Sequence, residues 1–439
     1  VLKNIFKVIL CITALCSVAY ADLTISITQG VDKPYPIAIV PFGNDIENAN
    51  LPNGMTGVIA NDLMNSGRFN LLGLDKMPAQ PHQLAQFNWQ AWTNANTGIE
   101  YAVLGNVTQN ANGSYQVSFD LLSLLGSRPL IDQKFNNIPA NQLRALAHHI
   151  SDMIYQTITG NRGYFSTRLA YVEVINSDAP SPTYRLVVSD EDGFNPQVLL
   201  SQLDIPIATP QWSPDGTKLA YVSYINNRMA IYTITLSNGS RKIIANFPGM
   251  NSAPSWSPDG KSMAMALSKG DGANSDIYIM NLSTHKLIRY TNFANNTSPC
   301  FSPDGQSLVF NSDRGGSPQI YQLDLSSKQV TRLSFSGAQN FAPVYTPDGQ
   351  NIVIMNQAQA NGPIRIATLN PVTNKISIIT HGQLDKSPSV SPEGSMVIYA
   401  NYDGPKGILA EASIDAKVQL KLPATEGTVQ SPAWSPFLN

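Results

Sequence analysis

The chain has 439 residues, a formal net charge of −2, and only 13% charged side chains. That balance argues against nucleic acid or an anionic membrane surface as partner, and the length is ample for two domains with cores of their own. Of its three cysteines, Cys11 and Cys16 lie in an N-terminal leader pattern, so Cys300 has no partner for an internal disulfide.

Residues 1–21 read as a secretory signal peptide. Lys3 and Lys7 precede the mostly apolar run 8–18, and Ala19-Tyr20-Ala21 suits small-residue cleavage before Asp22. A membrane anchor needs about 20 apolar residues; this run is shorter, and no second span follows, so the mature chain is expected to be soluble outside the inner membrane with no transmembrane segment. In residues 22–33, Leu23, Ile25 and Ile27 alternate with Asp22, Thr24, Ser26 and Thr28, the pattern of an extended strand. Such a segment is either an ordinary edge strand or, free at a mature terminus, one that pairs with an exposed edge on a partner.

Residues 34–162 have the grammar of an α/β domain. A short apolar strand at 37–42 is followed by a predicted helix over 52–66, with Met55, Val58, Ile59 and Leu63 at three- and four-residue steps. Strands at 101–105 and 115–119 flank the Asn110-Ala111-Asn112-Gly113 turn. The stripe Leu143, Leu146, Ala147, Ile150, Ile154 and Ile158 predicts a helix ending near Gly160, and Asn161-Arg162-Gly163 is the expected joint to the next domain.

Residues 163–439 repeat. The signature Pro210-Gln211-Trp212-Ser213-Pro214-Asp215-Gly216 recurs from Pro254, Pro299, Pro343, Pro388 and Pro432. Its central residues Trp212, Trp256, Phe301, Tyr345, Val390 and Trp434 lie 44, 45, 44, 45 and 44 residues apart. Each unit carries four short apolar runs joined by Gly, Asn, Asp and Pro turns, a β-meander of one propeller blade. The last signature has no strands after it, while 168–174, 184–188 and 197–200 form a set of later strands with no signature before them. The two incomplete ends make one blade, which predicts a closed six-bladed β-propeller whose C-terminus supplies an innermost strand. The expected fold is thus two-domain, an N-terminal α/β domain followed by that closed propeller. The aromatic residue of each signature is expected to pack between blades, and Cys300 to be a buried, inert thiol.

Reactive chemistry is hard to find. There is no Gly-x-Ser-x-Gly elbow, no His-Glu-x-x-His helix and no phosphate-cradling loop. Asp215, Asp259, Asp304, Asp348 and Glu393 occupy equivalent turns, so one structural cause explains all five. His148 and His149 are adjacent on a helix and point in different directions, and His82, His285 and His381 are scattered, so no metal-ligand spacing and no cofactor are expected. The reading is a non-enzymatic binding scaffold, with a periplasmic propeller hydrolase acting on peptide or glycan in the channel as the alternative.

Several strings together resemble the TolB family, the periplasmic components of the Tol-Pal system of Gram-negative bacteria. They are Gly30-Val31-Asp32 leading into Pro36-Ile37-Ala38-Ile39-Val40-Pro41-Phe42, Ala170-Tyr171-Val172, the repeated Ser-Pro-Asp-Gly, Met396-Val397-Ile398-Tyr399, Leu422-Pro423-Ala424-Thr425 and Ser431-Pro432-Ala433-Trp434-Ser435-Pro436. The resemblance covers essentially the whole chain. It implies a scaffold, monomeric on its own, that binds the lipoprotein Pal at the propeller and the inner-membrane protein TolA through the mature N-terminus. It also implies a part in outer-membrane integrity and constriction at cell division, with bacteriocins and outer-membrane proteins as further candidate partners. The TolA segment carries over to residues 22–33, with Asp22, Leu23, Thr24, Ile25, Ser26 and Ile27 as the candidate contacts. For Pal the resemblance points to one mouth of the channel, and the repeat pattern places that mouth at the loops entering the innermost strands, with Met250, Asn251, Ala253, Asn295, Asn296, Thr297, Ser298, Gln339, Asn340, Asp385 and Lys386 as the candidate contacts. Met250 stands where the family pattern has a histidine and Ser298 where it has an acidic residue, so the polar contacts there are expected to differ.

Overall fold

The structure is a computed structural model that describes residues 33–48, 51, 53–268, 274–423 and 425–438. The first part is a five-stranded sheet with helices on both faces. In chain order it runs β1 (Tyr35–Ile39), α1 (Gly54–Asn65), β2 (Phe69–Leu71), α2 (Trp89–Asn94), β3 (Tyr101–Gln109), β4 (Tyr115–Ser123), β5 (Arg128–Ile138) and α3 (Leu143–Thr159), with sheet order β2-β1-β3-β4-β5. β1 pairs parallel with β2 and β3, and the remaining pairs are antiparallel.

Because successive side chains of a strand point to opposite faces, Ile37 and Ile39 join the core beneath α1 and α3. Ala38 and Val40 join Phe87 and Trp92 on the other side. α1 lacks a cap from its own Asn53. Instead Asp45 accepts the Met55 and Thr56 amides at 2.9 Å each, satisfying donors the helix cannot pair internally. α3 ends on Gly160 at φ 78°, a left-handed position that glycine occupies without steric penalty.

The repeats form six four-stranded antiparallel sheets. The first combines β6 (Arg168–Ile175), β7 (Thr183–Asp190) and β8 (Gln197–Leu203) with the C-terminal strand Thr428–Trp434, in the order C-terminal strand, β6, β7, β8. Trp434 lies opposite Leu169 and Thr428 opposite Val174. The split blade is therefore present.

The expectation of a closed propeller is corrected: the sheets are not closed into a barrel. Each blade is a separate sheet, and no strand of one is ladder-paired with a strand of the next. A meander of four strands uses its ladder hydrogen bonds within the blade. Neighbours meet mainly through side chains, as where Ala220, Val222 and Ile231 pack on Met263 and Met265, with single backbone bonds such as the Val429 amide to the Gly407 carbonyl beside them. The arrangement accordingly keeps edges rather than abolishing them. In four blades it protects them by shortness, the outermost strands Leu287–Arg289, Val330–Arg332, Ile376–Ile378 and Gln419–Lys421 having three residues each, whereas those of blades one and two, Gln197–Leu203 and Arg241–Ala245, have seven and five.

The signature residues are structural. Trp212, Phe301, Tyr345 and Trp434 are buried, and the Trp212 and Trp256 indoles donate to the carbonyls of Ala433 and Gln211 on the preceding innermost strands. In the turns one hydrogen-bond pattern repeats. Ser257 donates to Asp259 at 2.6 Å and accepts the Ser262 amide at 2.9 Å, and Asp259 accepts the Lys261 amide; Ser213/Asp215 and Ser302/Asp304 do the same. The serine hydroxyls hold Asp215, Asp259 and Asp304 below the usual carboxylate range. Ser257→Ala removes a donor and an acceptor from this turn. It should destabilise the propeller by about 1–2 kcal/mol in chemical denaturation, with an unchanged native far-ultraviolet spectrum.

The α/β domain packs against blades one and six on the face that carries these turns. A single core runs from Ile37, Met55 and Ile150 through Tyr164 and Phe165 of the joint to Tyr171, Met396, Val429 and Trp434. The loops leading into the innermost strands lie on the opposite face.

Candidate functional site

The centre of the propeller is built by a kink repeated six times. Thr209, Ala253, Ser298, Ala342, Ser387 and Ser431 have φ between 46° and 54°, each precedes a proline, and each lies where its innermost strand shifts register. A left-handed residue without glycine costs roughly 1–2 kcal/mol, and this bulge is kept in every blade. These residues and their prolines, with Gln211, Ser255, Cys300 and Val344, line an axial channel whose cavity is about 140 Å³. Its wall holds small side chains and hydroxyls and one titratable group, the Cys300 thiol, which burial pushes up to about 11. The five signature carboxylates are absent from it. A glycosidase needs a pair of carboxyls beside the scissile bond, and this wall provides none.

At the mouth, the residues singled out from the sequence separate into two kinds. Asn251, Asn296, Asn340 and Asp385 have no exposed surface. Asn251 accepts the Phe247 amide and donates to the Phe247 and Gly249 carbonyls, while Asn296 donates to the Phe293 and Ala294 carbonyls and accepts from Arg314. Asn340 is held by Gln319 and Asn356, and Asp385 by Thr380 and Asn401. These four are keystones that shape the loops from behind.

Met250, Ala253, Thr297, Ser298, Gln339 and Lys386 are half-buried, and Asn295 is exposed though tied to Asp313. Met250 is placed by Ser268, whose hydroxyl accepts its amide, and by Gly249 at φ 89°, where a Cβ would lie 1.9 Å from the Ser268 carbonyl oxygen. Lys386 lies over the Tyr402 ring at 5.3 Å. Two residues of the same loops escaped the sequence reading: Phe293 and Phe335 are 65% and 61% exposed. The available signal was an aromatic residue inside a polar loop, outside every strand run. Asp22, Leu23, Thr24, Ile25, Ser26 and Ile27 lie outside the described residues.

A second polar cluster joins the α/β domain to blade one. His148 Nδ1 is 2.9 Å from Asp62 Oδ2, and its Nε2 is 3.8 Å from Asp192 Oδ2. Arg144 reaches Asp190 at 3.5 Å, pairs with Asp192, and stacks on Phe194 at 4.1 Å. Burial by itself lowers His148, but the Asp62 carboxylate, with help from Asp192, outweighs it and holds the ring at about 9. Glu191 and Glu411, both buried, are pushed well above the carboxylate range by burial and by the surrounding acids. Residues far apart in sequence make this cluster, so the expectation that the histidines lack metal-ligand company is revised: Asp62, Asp190, Glu191 and Asp192 all come within reach of His148.

Fold and site together define a β-propeller scaffold carried on a small α/β domain, with no catalytic triad among the described residues. The model of the TolB amino-terminal domain matches residues 23–130 and that of the TolB β-propeller domain residues 155–438. The Tol-Pal system protein TolB of Francisella tularensis subsp. mediasiatica is 39% identical over 430 residues, covering 96% of both chains. Its namesake in Hydrogenovibrio crunogenus is 41% identical over 419 residues, covering 95% of both. The crystal structure of TolB from Acinetobacter baumannii superposes with a TM-score of 0.82 at 39% identity, covering 92% of this chain and 98% of that one. The chain belongs to the TolB family, and it is a periplasmic, non-enzymatic β-propeller protein.

Proposed function

We propose that the chain is a hub of the Tol-Pal system that binds Pal at the channel mouth and TolA through residues 22–27, supporting outer-membrane integrity and constriction at division. Within it, residues 34–162 act as the α/β domain, 163–439 as the propeller and 22–33 as the partner-binding segment. One observation carries the Pal half. The face opposite the α/β domain presents exposed Phe293 and Phe335 on loops held from behind by Asn296 and Asn340, around a channel without reactive groups. Rigid loops carrying exposed aromatics suit a protein partner, because aromatic anchors dominate interface energetics. The TolA half rests on the alternation of Leu23, Ile25 and Ile27 and on family membership.

Calorimetry of the mature chain with the soluble domains of Pal and TolA tests both halves. Deleting 22–33 is expected to abolish TolA binding while leaving Pal affinity and the denaturation midpoint unchanged. Retained TolA binding in the deletion would assign that contact elsewhere.

A further inference from the structure

We infer that His148 Nε2, with the carboxylates of Asp190 and Asp192, forms a site for a divalent transition-metal cation of the Zn²⁺ or Mn²⁺ type that ties α3 to blade one. This inference is independent of the scaffold reading. One ligand atom from each of the three residues lies within 4.8 Å of the other two. Bond lengths to such ions are about 2.0–2.2 Å, so ligands gather around a cation after contracting by roughly an ångström at most.

The second observation is the ring itself. His148 is 2% exposed, and its Nε2 has no hydrogen-bond partner. The 3.8 Å gap to Asp192 is too long for a hydrogen bond and suits a cation lying between the two. Buried polar atoms are paired in nearly all proteins, so an orphaned ring nitrogen aimed at carboxylates points to a ligand.

The other ring nitrogen strengthens the assignment. Asp62, 3% exposed, holds Nδ1 at 2.9 Å. A carboxylate that accepts the Nδ1 proton directs the Nε2 lone pair outward, the arrangement that orients metal-binding histidines. The ring is protonated while the site is empty, and a cation displaces the Nε2 proton as it binds; the acids Asp62, Asp190 and Asp192 then face the one guanidinium of Arg144, a setting that favours a divalent cation. Arg144 pairs with the same Asp192 Oδ2 that faces His148, while Oδ1 accepts the Phe194 amide, so the cation and the guanidinium share the two lone pairs of one oxygen. One imidazole nitrogen with two carboxylates suits Zn²⁺ or Mn²⁺ better than the all-oxygen preference of Ca²⁺ and Mg²⁺. Asp192 also lines a pocket of about 230 Å³, with Asp62, Glu191, Glu411 and Lys421 among its other walls. Since His148 lies on α3, Asp190 at the end of β7 and Asp192 in the turn after it, a bound ion stabilises the docking of one domain on the other.

The mature full chain, stripped with a chelator, is titrated with Zn²⁺, Mn²⁺, Ca²⁺ and Mg²⁺ by calorimetry and thermal denaturation. One Zn²⁺ or Mn²⁺ per chain is expected, with a raised melting temperature and no displacement by Ca²⁺ or Mg²⁺. His148→Gln and Asp192→Asn should each weaken binding about tenfold or more, Asp62→Asn by about 10–100-fold, and His381→Gln, at an exposed histidine, not at all. Should the cluster variants fail to fold, pulsed electron paramagnetic resonance of Mn²⁺ on the unsubstituted chain must show one histidine nitrogen. No ion retained by the unsubstituted chain, equal binding by folded His148→Gln, or bound Mn²⁺ lacking a nitrogen ligand would each overturn the site.

Discussion

A chain lacking residues 428–439 is expected to lose the cooperative unfolding of the propeller, and Trp434→Ala alone to lower stability by about 3–5 kcal/mol. The size follows from what the C-terminal strand supplies. Trp434 is 5% exposed, its indole donates to Thr167 at 2.8 Å, its amide donates to Ser389 of blade six, and its ring meets Tyr164 edge-on at 5.7 Å. Ala433 accepts the Trp212 indole of the next blade, and Ser435 exchanges hydrogen bonds with Arg168. One strand therefore serves blades six, one and two as well as the joint to the α/β domain. In urea the Trp434→Ala midpoint should fall on the order of 1 M. Val390→Ala, at the same place in its repeat but half-buried and without an indole donor, should cost far less. A truncated chain that unfolds cooperatively at the parent midpoint would show that the strand is dispensable.

The repeat was legible because its parts are local. Pro, the aromatic residue and Asp-Gly recur at a constant period, and Leu169 to Val172 copies Leu219 to Val222, which exposed the split blade. How the blades meet was legible only at the signature aromatics, where Trp212 and Trp256 reach the preceding blades; strand patterns otherwise specify pairing within a sheet and leave contacts between sheets to side-chain packing. β5 went unread because it is a mostly exposed edge, with Arg128, Asp132 and Lys134 breaking the alternation. The left-handed residues of the channel wall were hidden too: Ala253 and Ala342 carry no local preference for positive φ, and tertiary structure imposes it. At the mouth, polarity misled. Asn251, Asn296, Asn340 and Asp385 read as surface because they are polar, yet each is buried by satisfying loop carbonyls, amides or neighbouring side chains that would otherwise be orphaned. The His148 cluster is a product of folding alone, since Asp62 lies 86 residues before His148 and Asp192 on another domain.

Phe293→Asp combined with Phe335→Asp is expected to weaken Pal binding by about 100-fold or more while leaving stability within about 0.5 kcal/mol of the parent. Both rings are mostly exposed, so the free chain loses little beyond the Arg332–Phe335 contact at 5.1 Å. A partner that buries them loses two aromatic anchors and must desolvate two carboxylates. If each anchor is worth about 2 kcal/mol in the complex, and the two are not fully additive, a factor near 100 follows from tenfold per 1.4 kcal/mol. Asn296 would be a poorer probe of the same face. Its amide holds the Ser275, Phe293 and Ala294 carbonyls and its oxygen holds Arg314, so replacing it leaves buried groups unpaired and costs about 1–3 kcal/mol before any partner arrives. Lost binding there would report a collapsed loop as readily as a lost contact. The phenylalanine pair separates the two effects. Calorimetry against Pal gives the affinity, and urea denaturation of the free variant gives the stability. Unchanged affinity in a stable double variant would remove these loops from the Pal surface, and weakened affinity with an unchanged midpoint can arise only at the interface.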